Sequence, residues 1–258
     1  MGVPQVPLVL IHGWGMHSGM WDIILPALKR QGHVHCVDLP GHGKNISARF
    51  TLDSIVNTLA ETFTEPINVC GWSLGGEIAL HWAQRFPQQI RKLILVASTP
   101  CFAERADWSC GMPQATLQQF AADLERDHAG TLRRFLALQV RGSDNERALL
   151  SDLRAQLDRR GEPDVQALRD GLTILRDTDL RAELPLIQQP VLLIAGARDR
   201  LTPPEASRYM AEKLPDARLI EIAGAAHAPF LSHPKEFLQG VIDFLQPPLP
   251  PGERGFCG

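Results

Sequence analysis

The chain has 258 residues, 44% hydrophobic and 21% charged, with a net charge of −3; this suits one packed α/β domain with room for an insertion and argues against a general nucleic-acid binder. No apolar run approaches the ~20 residues of a membrane span, and the first residues show no basic n-region or cleavage pattern of a secretory signal. Five cysteines, Cys36, Cys70, Cys101, Cys110 and Cys257, lack paired or metal-ligand spacing, so reduced thiols, a cytoplasmic location and no metal or other cofactor are expected.

In chain order, Val6–His12 reads as a buried strand ending in the loop Gly13-Trp14-Gly15. Trp21–Arg30 is expected to be a helix, and Val34–Asp38 a short strand that runs into the turn Leu39-Pro40-Gly41-His42-Gly43. Thr51–Phe63 has helical periodicity, with Leu52, Ile55, Val56, Leu59 and Phe63 on one side. A strand over Ile67–Cys70 then meets Gly71-Trp72-Ser73-Leu74-Gly75-Gly76, and the following residues run as a helix to about Phe86. Leu93–Ala97 is the next strand.

Residues 112–183 contain no convincing buried strand; Ala115–Glu125, Thr131–Val140, Glu146–Leu157 and Val165–Leu175 read as helices. The alternation resumes with strand Val191–Ala195, helix Pro204–Lys213, strand Arg218–Ile222 and helix Pro234–Leu245. Strands alternating with helices predict an α/β fold with a mostly parallel sheet flanked by helices. The helical stretch is expected to be an inserted cap over 112–183, splitting a core of 1–111 and 184–246. The Pro- and Gly-rich residues 247–258 are expected to be an unstructured tail.

The stretch Gly71–Gly75 is a G-x-S-x-G sequence in a strand–turn–helix setting. A serine at such a turn is held in a strained conformation that only tiny neighbours permit, and this exposes its hydroxyl beside a helix N-terminus. A hydroxyl needs a base, and the base needs an acid to hold it. Asp199 and His227 each follow a strand, in the order serine, acid, histidine. Asp177 and Asp179 end the helical stretch with no strand ahead of them, and His233 precedes Pro234 as a capping or surface residue. Asp38 lies too early in the chain and is expected to fix the 40–43 turn, while His12 shapes the glycine loop after it. Two N–H donors are needed for a tetrahedral oxyanion; position selects Leu74 and Trp14.

Together these residues resemble the α/β-hydrolase superfamily. The segments LVLIHGWG (8–15), VDLPGHG (37–43), GWSLGG (71–76), ASTPCF (97–102), FLALQ (135–139) and AAHAPFLSHP (225–234) further resemble the pimeloyl-acyl-carrier-protein methyl ester carboxylesterases of biotin synthesis. The resemblance implies a cytoplasmic, monomeric serine esterase acting on a pimeloyl methyl ester carried by acyl carrier protein. It implies an acyl channel lined by Phe135 and Gln139 beside Trp14, Ser73 and Leu74, and carrier docking through cap arginines Arg134 and Arg147. Two further arginines of that pattern are Gly130 and Ser151 here, with Arg133, Arg141 and Arg154 nearby. The alternatives are a broad short-chain carboxylesterase or C–C bond hydrolase on the same triad, and a non-catalytic binding protein.

Overall fold

The computed structural model describes residues 6–46 and 49–246; the expected tail over 247–258, with Cys257, lies outside the described residues. Six parallel strands form one sheet: β1 (Leu8–Ile11), β2 (Val34–Val37), β3 (Ile67–Trp72), β4 (Ile90–Val96), β5 (Val191–Gly196) and β6 (Ala217–Ile222), in the order β2-β1-β3-β4-β5-β6. Strands β1, β3 and β5 are buried along their whole length. Both faces of the sheet are covered, so these strands are continuous apolar runs rather than alternating ones. The edge strands β2 and β6 are half-exposed.

The flanking helices are α1 (Leu25–Lys29), α2 (Leu52–Thr62), α3 (Leu74–Arg85), α8 (Pro204–Lys213), α9 (Pro229–Ser232) and α10 (Pro234–Leu245). Helix α2 begins in a capping box, in which Thr51 and Ser54 each accept from the other's backbone N–H. Between β4 and β5 the chain forms four helices: α4 (Gln114–Arg126), α5 (His128–Val140), α6 (Glu146–Arg160) and α7 (Val165–Asp177). Asp127 caps α5 and Asp164 caps α7 through their carboxylates.

The helix expected over Trp21–Arg30 does not form as one piece. A 3-10 turn covers Ser18–Trp21 and the α-helix starts only at Leu25. Pro26 is the reason: it has no N–H to donate one turn back, and its ring suits the first helical turn. Helix α9 was not foreseen, and β3 runs two residues past its expected end, into the glycine turn.

Register places the site. Ile11 pairs with Gly71, Trp72 with Val96 and Gly196 with Ile222. The carboxyl ends of the strands therefore lie along one edge, where open α/β sheets bind ligands.

Candidate active site

Ser73 stands between β3 and α3 with φ 54° and ψ −117°. This strained left-handed value is held by hydrogen bonds on both sides. Its N–H donates to Val96 O at 3.0 Å, and its carbonyl accepts from Gly76 N at 2.8 Å and from the Ser98 hydroxyl at 3.0 Å. The flanking glycines are required by contact: a Cβ on Gly71 would strike the Gly75 carbonyl, and one on Gly75 would strike the Ile11 carbonyl. The turn thus lets α3 start directly against β1 and lifts Ser73 off the sheet.

Asp199 and His227 meet near Trp72, the residue before Ser73, whose indole donates to His227 O. Asp199 follows β5, His227 follows β6, and their side chains are buried with Nδ1 of His227 2.8 Å from Oδ2 of Asp199. The carboxylate also accepts from Leu201 N (2.8 Å), Thr202 N (3.1 Å) and the Thr202 hydroxyl (2.8 Å). Four donors compensate a charge that burial would otherwise penalise by several kcal/mol. With Nδ1 donating to the carboxylate, Nε2 is the imidazole nitrogen left to accept a proton.

The loop after β1 closes the other side. A Cβ on Gly13 would lie 3.2 Å from Cβ of Ser73, so Trp14 follows directly beside the serine. Neither the backbone N–H of Trp14 nor that of Leu74 has an acceptor among the described residues, although both residues are buried. Buried N–H groups without partners are rare, and a pair flanking a serine hydroxyl forms a receptor for an anionic oxygen. The Trp14 indole turns toward the inserted helices. It donates to Leu168 O of α7 at 2.9 Å and packs edge-on against Phe135 (4.8 Å) and Phe120 (5.4 Å). Gly171 lets α7 approach, since a Cβ there would lie 2.8 Å from the indole.

Phe135 and Gln139 share the buried face of α5. Phe135 reaches Trp14, while the Gln139 backbone carbonyl accepts from His227 N at 3.0 Å and its side-chain oxygen is buried without a partner. Arg134 and Arg147 lie elsewhere, on the outer surface. Arg134 donates to Thr131 and stands 3.8 Å from Asp123 and 3.9 Å from Asp127. Arg147 has no ion-pair partner among the described residues and lines a groove of about 430 Å³ on α6 with Leu150, Ser151, Arg154, Ala155 and Asp158. Gly130 has a local reason to be glycine: its N–H donates to the capping Asp127, and a Cβ would collide with that carboxylate.

The rival residues serve other contacts. Asp177 pairs with Arg176, and Asp179 with Arg181. Asp38 accepts from Ser18 N and Lys44 N, tying the 40–43 turn to the segment after β1. His12 bonds Gly13 O through Nδ1 and accepts from Leu39 N through Nε2. Burial pushes its pKa down to about 3, and that of His42 to about 4. His233 stands at the α10 N-cap but its side chain caps nothing; it faces Ser232 and Asp144 instead. The described cysteines are free, with burial raising the thiol pKa of Cys36 and of Cys101 to about 11. Cys70 is fully buried, whereas Cys36 is half-exposed.

Three residues around the site escaped sequence reasoning. Thr202 holds Asp199, Trp72 donates its indole N–H to His227 O at 2.8 Å, and Ser143 accepts from Ala226 N at 3.0 Å. Thr202 carried a signal, because a hydroxyl residue three positions after an acid commonly closes a local turn. The other two contacts span 155 and 83 residues and leave no local trace.

Comparison with known proteins agrees with this arrangement. Residues 6–234 match the family described as alpha/beta hydrolase fold. The pimeloyl-[acyl-carrier protein] methyl ester esterase of Nitrosomonas europaea is 46% identical over 232 residues, covering 90% of this chain and 92% of that protein. Its counterpart in Chromobacterium violaceum is 42% identical over 240 residues, 93% of this chain and 94% of that protein. Among solved structures, an esterase from Exiguobacterium antarcticum superposes with a TM-score of 0.85 over 94% of this chain and 92% of its own, at 24% identity. A hydrolase from Pseudomonas aeruginosa gives 0.79 over 94% and 91%, at 27% identity. With the six-stranded parallel sheet and the serine turn between β3 and α3, these likenesses establish that the chain belongs to the α/β-hydrolase family and, within it, to the pimeloyl-[acyl-carrier protein] methyl ester esterases.

Proposed function

We propose that the chain is a serine carboxylesterase that hydrolyses the methyl ester of pimeloyl-[acyl-carrier protein], releasing methanol and the free pimeloyl carboxylate on its carrier. The observation that carries the reading is the buried His227–Asp199 pair, bonded through His227 O to Trp72, the residue before a strained serine near which the N–H groups of Trp14 and Leu74 lack acceptors among the described residues. Relatives of that name at 40–46% identity over most of the chain supply the substrate.

In this reading Nε2 of His227 takes the Ser73 proton as Oγ attacks the ester carbonyl, and the N–H groups of Leu74 and Trp14 hold the oxygen that becomes negative. Asp199 keeps the imidazolium in place. Collapse of the tetrahedral adduct breaks the bond to methoxide, which leaves as methanol with the proton from His227. Water then attacks the acyl-enzyme with the same histidine as base, freeing the carboxylate and Ser73. The aromatic cluster of Trp14, Phe120 and Phe135 lines the acyl path, and α4–α7 form a lid over it.

The carrier is an acidic partner, and guanidinium groups suit carboxylates in charge and geometry. Arg134 and Arg147 serve its docking, with Arg154 across the groove taking up part of the role that Ser151 cannot fill. The reading includes a cytoplasmic monomer, with the described cysteines free.

The test is release of methanol from pimeloyl-carrier-protein methyl ester, followed by mass spectrometry of the carrier, in parallel with a free short-chain methyl ester. The carrier-bound ester is expected to be the better substrate. Ser73→Ala is expected to lower kcat about 10⁴-fold or more with the fold intact. Preference for the free ester overturns the carrier reading, and substantial turnover by Ser73→Ala overturns the covalent one.

A further inference from the structure

His227 sits on a loop with no regular secondary structure, residues 223–228. Every buried backbone group of such a loop needs a partner, so following its hydrogen bonds shows what holds the base in place. On the core side, Ala225 O accepts from Arg198 N at 2.9 Å, and His227 O accepts from the Trp72 indole at 2.8 Å. Ala225 N donates to Ile222 O at 3.3 Å and Ala228 O accepts from Leu231 N and Ser232 N, while three further bonds cross to the inserted helices. Gly224 O accepts from Asp144 N at 2.9 Å, Ala226 N donates to the Ser143 hydroxyl at 3.0 Å, and His227 N donates to Gln139 O at 3.0 Å. Arg198, next to Asp199, adds a tie from the acid loop: its guanidinium donates to Gly142 O at 3.0 Å and to Asp144 Oδ1 at 2.9 Å.

All these partners lie at the end of α5 and in the turn between α5 and α6. That turn has a fixed shape, with Gly142 at φ 87° and Asn145 at φ 60°. Ser143 itself is buried. Among these ties Ser143 stands apart. It is the one that holds the residue next to His227 through a side-chain atom, so substitution can remove it without touching the backbone.

We infer that the α5–α6 turn, residues 141–145, positions the general base, and that Ser143 acts as a positioning residue by holding the Ala226 N–H so that the His227 imidazole stays aligned between Ser73 and Asp199. The inference rests on the esterase reading of the site. It assigns the inserted helices a share in the chemistry, in addition to covering the acyl path. Proton transfer tolerates little displacement: a shift of about 1 Å in a reacting group can cost about 10²-fold in rate. Freeing the loop on one side is a smaller disturbance than that.

The experiment compares Ser143→Ala and Ser143→Thr with wild type on a small soluble ester and on the carrier-bound ester, with labelling of Ser73 by a fluorophosphonate as a second readout. For Ser143→Ala, kcat is expected to fall about tenfold on both substrates with KM unchanged, and labelling to slow in parallel. Ser143→Thr keeps the accepting oxygen and is expected to restore most of the rate. A Ser143→Ala enzyme with kcat within about twofold of wild type, or one with a raised KM and intact kcat, overturns the inference. If Ser143→Ala does not fold, Arg198→Gln is read on the same assays. Arg198 is exposed, and the substitution cuts the tie from the acid loop to the same turn. It is expected to lower kcat about threefold at constant KM, and unchanged kcat overturns the inference. Ser73→Ala separates the two claims: activity in that variant defeats the esterase reading, whereas a dead Ser73→Ala beside a fully active Ser143→Ala defeats the positioning role alone.

Discussion

Asp199 accepts from two backbone N–H groups, one hydroxyl and one imidazole in a volume closed to water. An amide in its place brings its own N–H toward Nδ1 and favours the wrong imidazole tautomer. Asp199→Asn is therefore expected to lower kcat about 10⁴-fold, as in a comparable triad, while Asp177→Asn and Asp179→Asn leave it unchanged. Steady-state kinetics on a small ester checks the ranking. Glu77 is the opposite kind of carboxyl. It lies buried in α3, both its oxygens lack partners among the described residues, and burial raises its pKa well above the usual 4.5. The folded chain then holds a proton that the unfolded chain has released, so stability falls as pH rises above 4.5. Glu77→Gln is expected to leave stability unchanged near pH 4 and to raise it at pH 8 by about 1 kcal/mol or more, measured by urea unfolding at both values.

At the scale of elements, the segment after β1 and the turn after β2 are locked together by neutral histidines. The pKa of His12 is depressed to about 3 and that of His42 to about 4, chiefly by burial, and their rings lie 5.2 Å apart. Below the ordinary value of 6.5 the unfolded chain takes up protons that the folded chain refuses. Their contribution is thus complete above pH 6.5 and is lost as pH falls toward 4 and then 3. Unfolding free energy is expected to drop steeply between pH 6.5 and 4, and the slope to be shallower in His42→Gln. The serine turn was legible in the sequence because strand, glycines and helix are contiguous, and Asp199 and His227 because each follows its strand directly. The helix expected over Trp21–Arg30 is shorter than the sequence suggests, because Pro26 confines it to a start at Leu25. The ties from Gln139, Ser143 and Asp144 to the base loop were illegible, since backbone groups carry no residue signature and the partners are some 80 residues apart. The ion pairs of Arg134 were equally hidden: charge patterning marks an arginine and does not say which acids its side chain reaches.

Across the whole molecule, the proposed carrier docking and the proposed chemistry are expected to be separable by charge. Arg147 and Arg154 lie on α6, whereas Ser73 lies between β3 and α3. Arg147→Glu with Arg154→Glu is expected to raise KM for the carrier-bound ester severalfold and to leave a small ester unaffected, because exposed charges act mainly on association. The difference should shrink in high salt, where screening operates within ~8–10 Å or less; equal losses on both substrates would indicate damage to the α4–α7 helices instead. The strand order has a consequence for biosynthesis of the protein itself. Ser73 follows the third strand, Asp199 the fifth and His227 the sixth, and β6 forms the outer edge of the sheet, paired to β5 alone. In the proposed mechanism the nucleophile is thus made early in translation and its base follows β6, the last described strand. On that proposal, a chain still emerging from the ribosome carries a serine without its base until the edge strand β6 docks. On that reading the onset of activity during refolding should follow the docking of β6 rather than the appearance of helical signal.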